Sequence, residues 1–200
     1  VDDGAVIVMQ IQAIFEDSKG RLWIGTMEGL DRFDYVTEKF IHYSEGPNNK
    51  NSLVHKSVQT ALKEDKNGNL WIGTWGGLSK MDVNDLNNIK HYHYKNDPDV
   101  PTSISGDRVI SNYIDKNGNI LLGTYGNGLN MLSYDEAQKE NTKEAAFIHY
   151  TEEDGLAHDV VYTILGDDEG NLWLGTNNGL SKFNPETKTF TNYYEDSGLQ

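Results

Sequence analysis

The 200-residue sequence contains no cysteine. Disulfides and thiolate metal sites are therefore excluded, while the compartment stays open, since many exported bacterial domains also lack cysteine. Basic residues are scarce, 17 against 31 acidic, for a net charge of -14. No basic stripe offsets that charge, so the chain repels phosphate backbones and no nucleic-acid partner is expected. The acidic residues are spread through polar stretches rather than gathered in a tail, as on a solvated surface. No apolar run approaches the length of a membrane span, so no direct membrane contact is expected. Helical periodicity is nearly absent, and there is no phosphate loop, Ser-His-Asp ordering or nucleophile motif. The sequence opens at Val1 with neither an initiator Met nor a signal peptide, so it reads as a piece of a longer protein.

What is present is one pattern repeated four times. Leu172-Trp173-Leu174-Gly175-Thr176 follows Asp167 and Gly170 and precedes Gly179-Leu180. Leu22-Trp23-Ile24-Gly25-Thr26, Leu70-Trp71-Ile72-Gly73-Thr74 and Ile120-Leu121-Leu122-Gly123-Thr124 stand in the same setting. Gly25, Gly73, Gly123 and Gly175 are spaced by 48, 50 and 52 residues. A fixed period of that length marks a repeat architecture.

Each copy reads as four short strands. In the last they fall at 160–165, 172–176, 180–184 and 190–194. The turn between the first two carries Asp, whose side chain suits the backbone N–H groups ahead of it, and Gly, which tolerates the positive φ that closes a hairpin. Leu22, Trp23 and Ile24 are all apolar although alternate side chains point to opposite faces. Leu180 and Phe183 likewise lie on opposite faces. A sheet apolar on both sides is a sheet covered on both sides, as blades arranged radially would be. The fold class expected is therefore all-β, a β-propeller with four blades of four antiparallel strands, at about 4–46, 47–96, 97–153 and 154–200 of one domain. The stretch 135–146 suggests a short helix or a longer excursion between strands. Asp3-Gly4-Ala5 before the first copy matches Asp154-Gly155-Leu156 before the fourth, and Ser197-Gly198-Leu199-Gln200 resembles the head of a fifth. Four blades can close alone; an open arc would leave two faces seeking cover, by the missing blades or by self-association.

The pattern Asp-x-x-Gly-Asn-Leu-Trp-Leu-Gly-Thr-x-x-Gly-Leu, complete from Asp167 to Leu180 and nearly so from Asp65 to Leu78, resembles the two-component regulator propeller repeat. Leu121 in place of Trp, an extra residue before Gly128, and Arg21 in place of Asn are departures. The resemblance implies a non-catalytic, periplasmic sensor segment of a hybrid two-component regulator. Its fold would be part of a larger, seven-bladed propeller, its ligand an oligosaccharide, its partners the remaining blades of a histidine kinase parent, and its cofactors none.

In such a ring the loops after strand two and after strand four emerge on one face. The residue after the Gly-Thr pair is Met27, Trp75, Tyr125 or Asn177, a position that changes on a frame that repeats. Trp75 and Tyr125 suit stacking on sugar faces, with Asn177 and Glu28 for hydroxyl groups. The alternative is that these aromatics fill space between blades. The loops after strand four, at 48–56, 97–107 and 152–159, bring His55, Arg108, His158 and Asp159 to the same face. His91-Tyr92-His93 has a metal-like spacing, but His42, His91, His149 and Asn192 read as one column and Tyr43, Tyr92, Tyr150 and Tyr193 as the next. A column filled in every blade is architectural, so no metal site is expected. Asp65-Lys66-Asn67-Gly68-Asn69 lacks the glycine and glutamate placement of a calcium loop and reads as a turn. Two other functions fit the sequence: a propeller lyase or glycoside-active enzyme, since carboxylates are plentiful, and a protein-interaction scaffold.

Overall fold

A computed structural model describes residues 10–46 and 52–198. It contains four antiparallel four-stranded sheets, each a meander in sequence order. Blade 1 is β1 (Ile11–Glu16), β2 (Leu22–Thr26), β3 (Gly29–Asp34) and β4 (Lys39–Tyr43). Blade 2 is β5 (Val58–Glu64), β6 (Asn69–Thr74), β7 (Gly77–Asp82) and β8 (Lys90–Tyr94). Blade 3 is β9 (Val109–Ile114), β10 (Ile120–Thr124), β11 (Leu129–Leu132) and β12 (Phe147–Tyr150). Blade 4 is β13 (Val161–Gly166), β14 (Leu172–Thr176), β15 (Gly179–Asn184) and β16 (Thr189–Tyr193). The all-β propeller expectation holds. The stretch near 135–146 is both things the sequence suggested: a one-turn helix α1 (Tyr134–Ala137), then a 3₁₀ turn at Thr142–Glu144, on an excursion between β11 and β12.

The turn after each first strand shows why the repeat keeps Asp six residues before Trp. One carboxylate oxygen of Asp65 accepts the N–H groups of Asn67 and Asn69, and the other accepts the Trp71 indole N–H at 2.8 Å. Asp17 and Asp167 hold Trp23 and Trp173 in the same way, at 2.8 and 3.0 Å. A buried indole needs that acceptor, because an unpaired N–H away from water costs about 1–3 kcal/mol. In blade 3 Leu121 brings no side-chain donor, and of side-chain donors Asp115 keeps only Asn119, at 2.8 Å, a bond that Asp65 makes with Asn69 in addition to the indole. The exchange extends across the sheet. Trp71 and Trp173 sit opposite Lys80 and Lys182, whose ammonium groups lie 5.4 and 5.3 Å from the rings, whereas Leu121 sits opposite Met131. Losing the ring removes what held the cation. Gly20, Gly68, Gly118 and Gly170 close these turns at positive φ, as expected.

The first strands lie side by side in the order β1, β5, β9, β13. Side chains stitch them together: Thr60 donates to the Ile110 carbonyl at 2.6 Å and Ser111 to that of Val161 at 3.0 Å. Between blades, one blade's Trp face meets the next blade's opposite face. Trp71, Leu78 and Tyr94 pack on Val109, Ile120, Leu122 and Phe147; Trp23 and Leu30 pack on Leu62, Leu70, Ile72 and Met81. Leu121, Leu129 and Tyr150 pack on Leu172, Leu174 and Phe183. The arc of described residues is open. Ile14 and Phe40 on the leading face of blade 1 are 67% and 57% exposed, and Leu165 on the trailing face of blade 4 is 67% exposed.

One column needs correction. Leu30, Leu78, Leu129 and Leu180 pair with Tyr43, Tyr94, Tyr150 and Tyr193. The blade 2 members are thus His93 and Tyr94, not His91 and Tyr92. In the run His91-Tyr92-His93-Tyr94 a two-residue slip keeps every side chain on its own face, so the pattern fits both registers. The connection of seven residues between β7 and β8, against four between β3 and β4, moves the column along the strand. The column is architectural: His93 and His149 each bond a carbonyl of the preceding loop at 2.7 Å, those of Ser52 and Ser103. His42 instead bonds Asp31 at 2.8 Å, and Asn192 donates to the Gly155 carbonyl at 2.9 Å. His91 stands outside it, with Nδ1 buried and unpaired.

Candidate functional site

With the first strands innermost, the turns after the second strands and the connections after the fourth open on one rim. Backbone bonds lock the two sets of loops together. Trp75 N–H donates to the Ser57 carbonyl at 3.1 Å, Tyr125 N–H to that of Arg108 at 2.9 Å, and Asn177 N–H to that of Val160 at 3.2 Å. The residue after each Gly-Thr pair is thereby fixed against the start of an inner strand. The threonines repeat this order: Thr26, Thr74 and Thr176 each donate to a glycine carbonyl three residues on and accept an N–H two residues on.

On this frame the candidate residues are met by side chains of the following blade. Trp75 is 45% exposed, and the Arg108 guanidinium of blade 3 lies 5.4 Å from its ring centroid. Tyr125 is 46% exposed, with Tyr162 of blade 4 edge-on at 6.4 Å. The Tyr162 hydroxyl then reaches Asn177 at 3.4 Å. The Met27 sulfur accepts from Ser57 at 3.3 Å and lies 3.9 Å from the Gln59 amide. Glu28 pairs with Lys56 at 2.9 Å, and both groups are exposed. Neither large ring is enclosed between blades, and each offers a face to solvent beside a polar group.

The remaining candidates sit lower in the same loops. The Nδ1 atoms of His55 and His158 accept the N–H groups of Ser57 and Val160 at 3.1 and 2.9 Å. Asp159 accepts the Glu152 N–H at 2.9 Å, and its carbonyl takes the N–H groups of Gly126 and Gly128. These three therefore shape the loops on which Trp75, Tyr125 and Asn177 stand. Sequence reasoning missed Tyr162, Gln59 and Lys56. The signal was available in the second residue of the inner strands, where Gln59, Ile110 and Tyr162 differ as much as the position after Gly-Thr. No cluster of three or more metal-ligating groups occurs among the described residues. None of their helices is long and apolar enough to cross a membrane.

Comparison with known proteins follows this architecture. The family model described as two component regulator propeller matches residues 6–28, 52–76 and 155–178, which take in the first two strands of blades 1, 2 and 4 and the turn between them. Histidine kinase P4 of Formosa agariphila is 28% identical over 221 residues, covering 89% of this chain and 16% of the kinase. The extracellular domain of a one component system from B. thetaiotaomicron superposes with a TM-score of 0.80 at 27% identity, over 96% of this chain and 26% of that one. The virginiamycin B lyase of Staphylococcus aureus superposes at 0.60 with 16% identity, over 93% and 56%, a likeness of fold alone. The chain thus spans about a sixth of the kinase and about a quarter of the extracellular domain. Blade 3, the copy with Leu121, lies outside the three matched segments. Three of its four blades thus match the repeat of the two component regulator propeller family.

Proposed function

We propose that this chain is a non-catalytic sensor segment of a hybrid two-component regulator, working in the periplasm and recognising an oligosaccharide at the rim. The observation that carries the reading is the pair of half-exposed rings, Trp75 with Arg108 over one face and Tyr125 with Tyr162 edge-on. A sugar ring is apolar on its axial C–H face and polar at its edge. A fixed aromatic face beside a guanidinium and an amide answers both parts. The open faces at the two ends of the arc support further blades of the parent, bringing the ring to seven. Such blades would cover Ile14 and Phe40 at one end and Leu165 at the other.

His55, His158 and Asp159, the rim groups best suited to acid–base work, each spend a hydrogen bond on the backbone. That use favours recognition over the lyase alternative. The test is titration of the chain with a panel of glycan-derived oligosaccharides, followed by tryptophan fluorescence and calorimetry. Trp75→Ala is expected to weaken the best ligand by about tenfold, the worth of one stacked ring. Arg108→Ala should weaken it less. A ligand whose affinity is unchanged in both variants would remove the rim from consideration.

A further inference from the structure

Each inner strand is preceded by a residue that the frame holds through its backbone. Ser57, Arg108 and Val160 stand just before Val58, Val109 and Val161, which lie opposite Thr74, Thr124 and Thr176. Each gives its carbonyl to the N–H of the residue after Gly-Thr in its own blade. A serine and a valine serve that bond as well as an arginine, so the repeat asks nothing of the side chain. In blade 3 the side chain is nonetheless a guanidinium. Its backbone holds Tyr125, while its charged group lies 5.4 Å from the ring centroid of Trp75 in the blade before.

Arg108 is exposed, and among the described residues its guanidinium makes no ion pair and no hydrogen bond. The connection that leads to it carries Asp97, Asp99 and Asp107, and none of them pairs with it. Asp97 and Asp107 instead accept the backbone N–H groups of Asp99 and Asn96 at 3.1 and 2.7 Å. The seam between blades 1 and 2 shows the contrast, since its cation, Lys56, is matched by Glu28 at 2.9 Å. At the seam between blades 3 and 4 the groups beside Tyr125 are the neutral Tyr162 and Asn177. The rim is thus divided. One open ring stands beside an unmatched positive charge, and the next stands beside a hydroxyl and an amide.

We propose that the rim takes an acidic oligosaccharide, with an oxyanion of one sugar paired to Arg108 while that sugar lies on Trp75. This rests on the rim being the glycan site proposed above. The oxyanion is a uronate carboxylate or a sulfate ester, whose oxygens both suit the planar fork of a guanidinium. Neutral sugar units are left to Tyr125, Tyr162 and Asn177. The net charge of -14 does not oppose this, because exposed charges are screened beyond about 8 Å at physiological ionic strength. The direct contact decides.

Two pairs of probes differ in charge at nearly constant shape: trigalacturonate with its methyl ester, and lactose 6′-sulfate with lactose. Each is titrated into the chain by calorimetry and ligand-observed NMR. The acidic member of at least one pair is expected to bind about fivefold tighter than its neutral partner, the upper range for an exposed ion pair. Arg108→Gln should erase that preference by weakening the acidic member alone, and Arg108→Lys should keep part of it. Salt at about 1 M should shrink it. Trp75→Ala should weaken both members. A preference within the galacturonate pair alone identifies the anion as a carboxylate, and one within the lactose pair alone identifies it as a sulfate. Failure of both acidic probes to bind, neutral members that bind as tightly as acidic ones, or an Arg108→Gln effect equal on both members would overturn the proposal. If Trp75→Ala still weakens the neutral members, the rim stands as a site for neutral sugars. If Trp75→Ala and Arg108→Gln both change nothing, the rim site falls as well.

Discussion

Blade 2 and blade 4 are built from nearly the same repeat, and they differ in what surrounds them. In blade 2 every residue of β6 is buried, and Trp71 is 0% exposed. In blade 4 the leading face is covered, with Leu174 and Phe183 at 0%, while Trp173 and Leu180 on the trailing face are only half-buried. Blade 1 is the converse: Trp23 is enclosed, and Ile14 on the other face is 67% exposed where its counterpart Leu62 is 3%. The antiparallel strand pairing within each blade is the same. The blade is therefore a unit of backbone pairing, while its burial belongs to the seam it shares with a neighbour.

The sharpest way to break this comparison is to truncate the same ring in both settings. Trp71→Ala should destabilise the chain by about 4 kcal/mol, since it opens a cavity in a closed seam and takes the indole donor from Asp65. Trp173→Ala should cost about 1 kcal/mol, because water already reaches that face. Chemical denaturation of the two variants decides it, and equal losses would mean that burial in the seam is not what stabilises a blade. A smaller contrast lies at the glycines. A Cβ on Gly73 would lie 2.7 Å from the Val109 carbonyl oxygen and meet Ala61 more closely still, whereas one on Gly175 would meet the Thr163 hydroxyl. Gly73→Ala should cost about 2 kcal/mol, as backbone must shift, and Gly175→Ala less than about 1 kcal/mol, as a side chain can turn.

The smallest effect expected is on pH dependence, again with an interior and a terminal member. Burial, and then the charge of His93, lower the pKa of His91 from 6.5 to about 4. The unfolded chain takes up that proton before the folded one does, so stability is full above pH 6.5 and falls as pH drops toward 4. His91→Gln should flatten the profile in that window. His42, on the open end blade, is half-exposed and bonded to Asp31, and His42→Gln should leave the His91 window in place. Unfolding midpoints measured from pH 7 to 4 test the pair.

Much of the frame was legible. Period, turn chemistry and two-faced apolar strands were enough for four-stranded blades, because each strand pairs with its neighbour in sequence and the hairpins are local. The register of β8 was not, since a slip of two residues preserves the face and only the length of the preceding turn distinguishes the choices. For the rim, the position after Gly-Thr stood out as variable in a constant setting. That Arg108 lies over Trp75 and Tyr162 beside Tyr125 was not legible, because each pair joins residues of different blades. The roles of His55 and His158 were hidden for a related reason: a histidine that bonds its own loop and one that faces a ligand share the same sequence context.

By itself the sequence determined the blade, through interactions that span a few residues: the Asp that serves both the turn and the indole, the glycine at positive φ, the alternation along each strand. Only the tertiary structure decided which faces are covered and which aromatics stay open at the rim. Those outcomes depend on how one blade is placed against the next. The contacts that set this placement are non-directional apolar ones, so no local pattern in the chain encodes them.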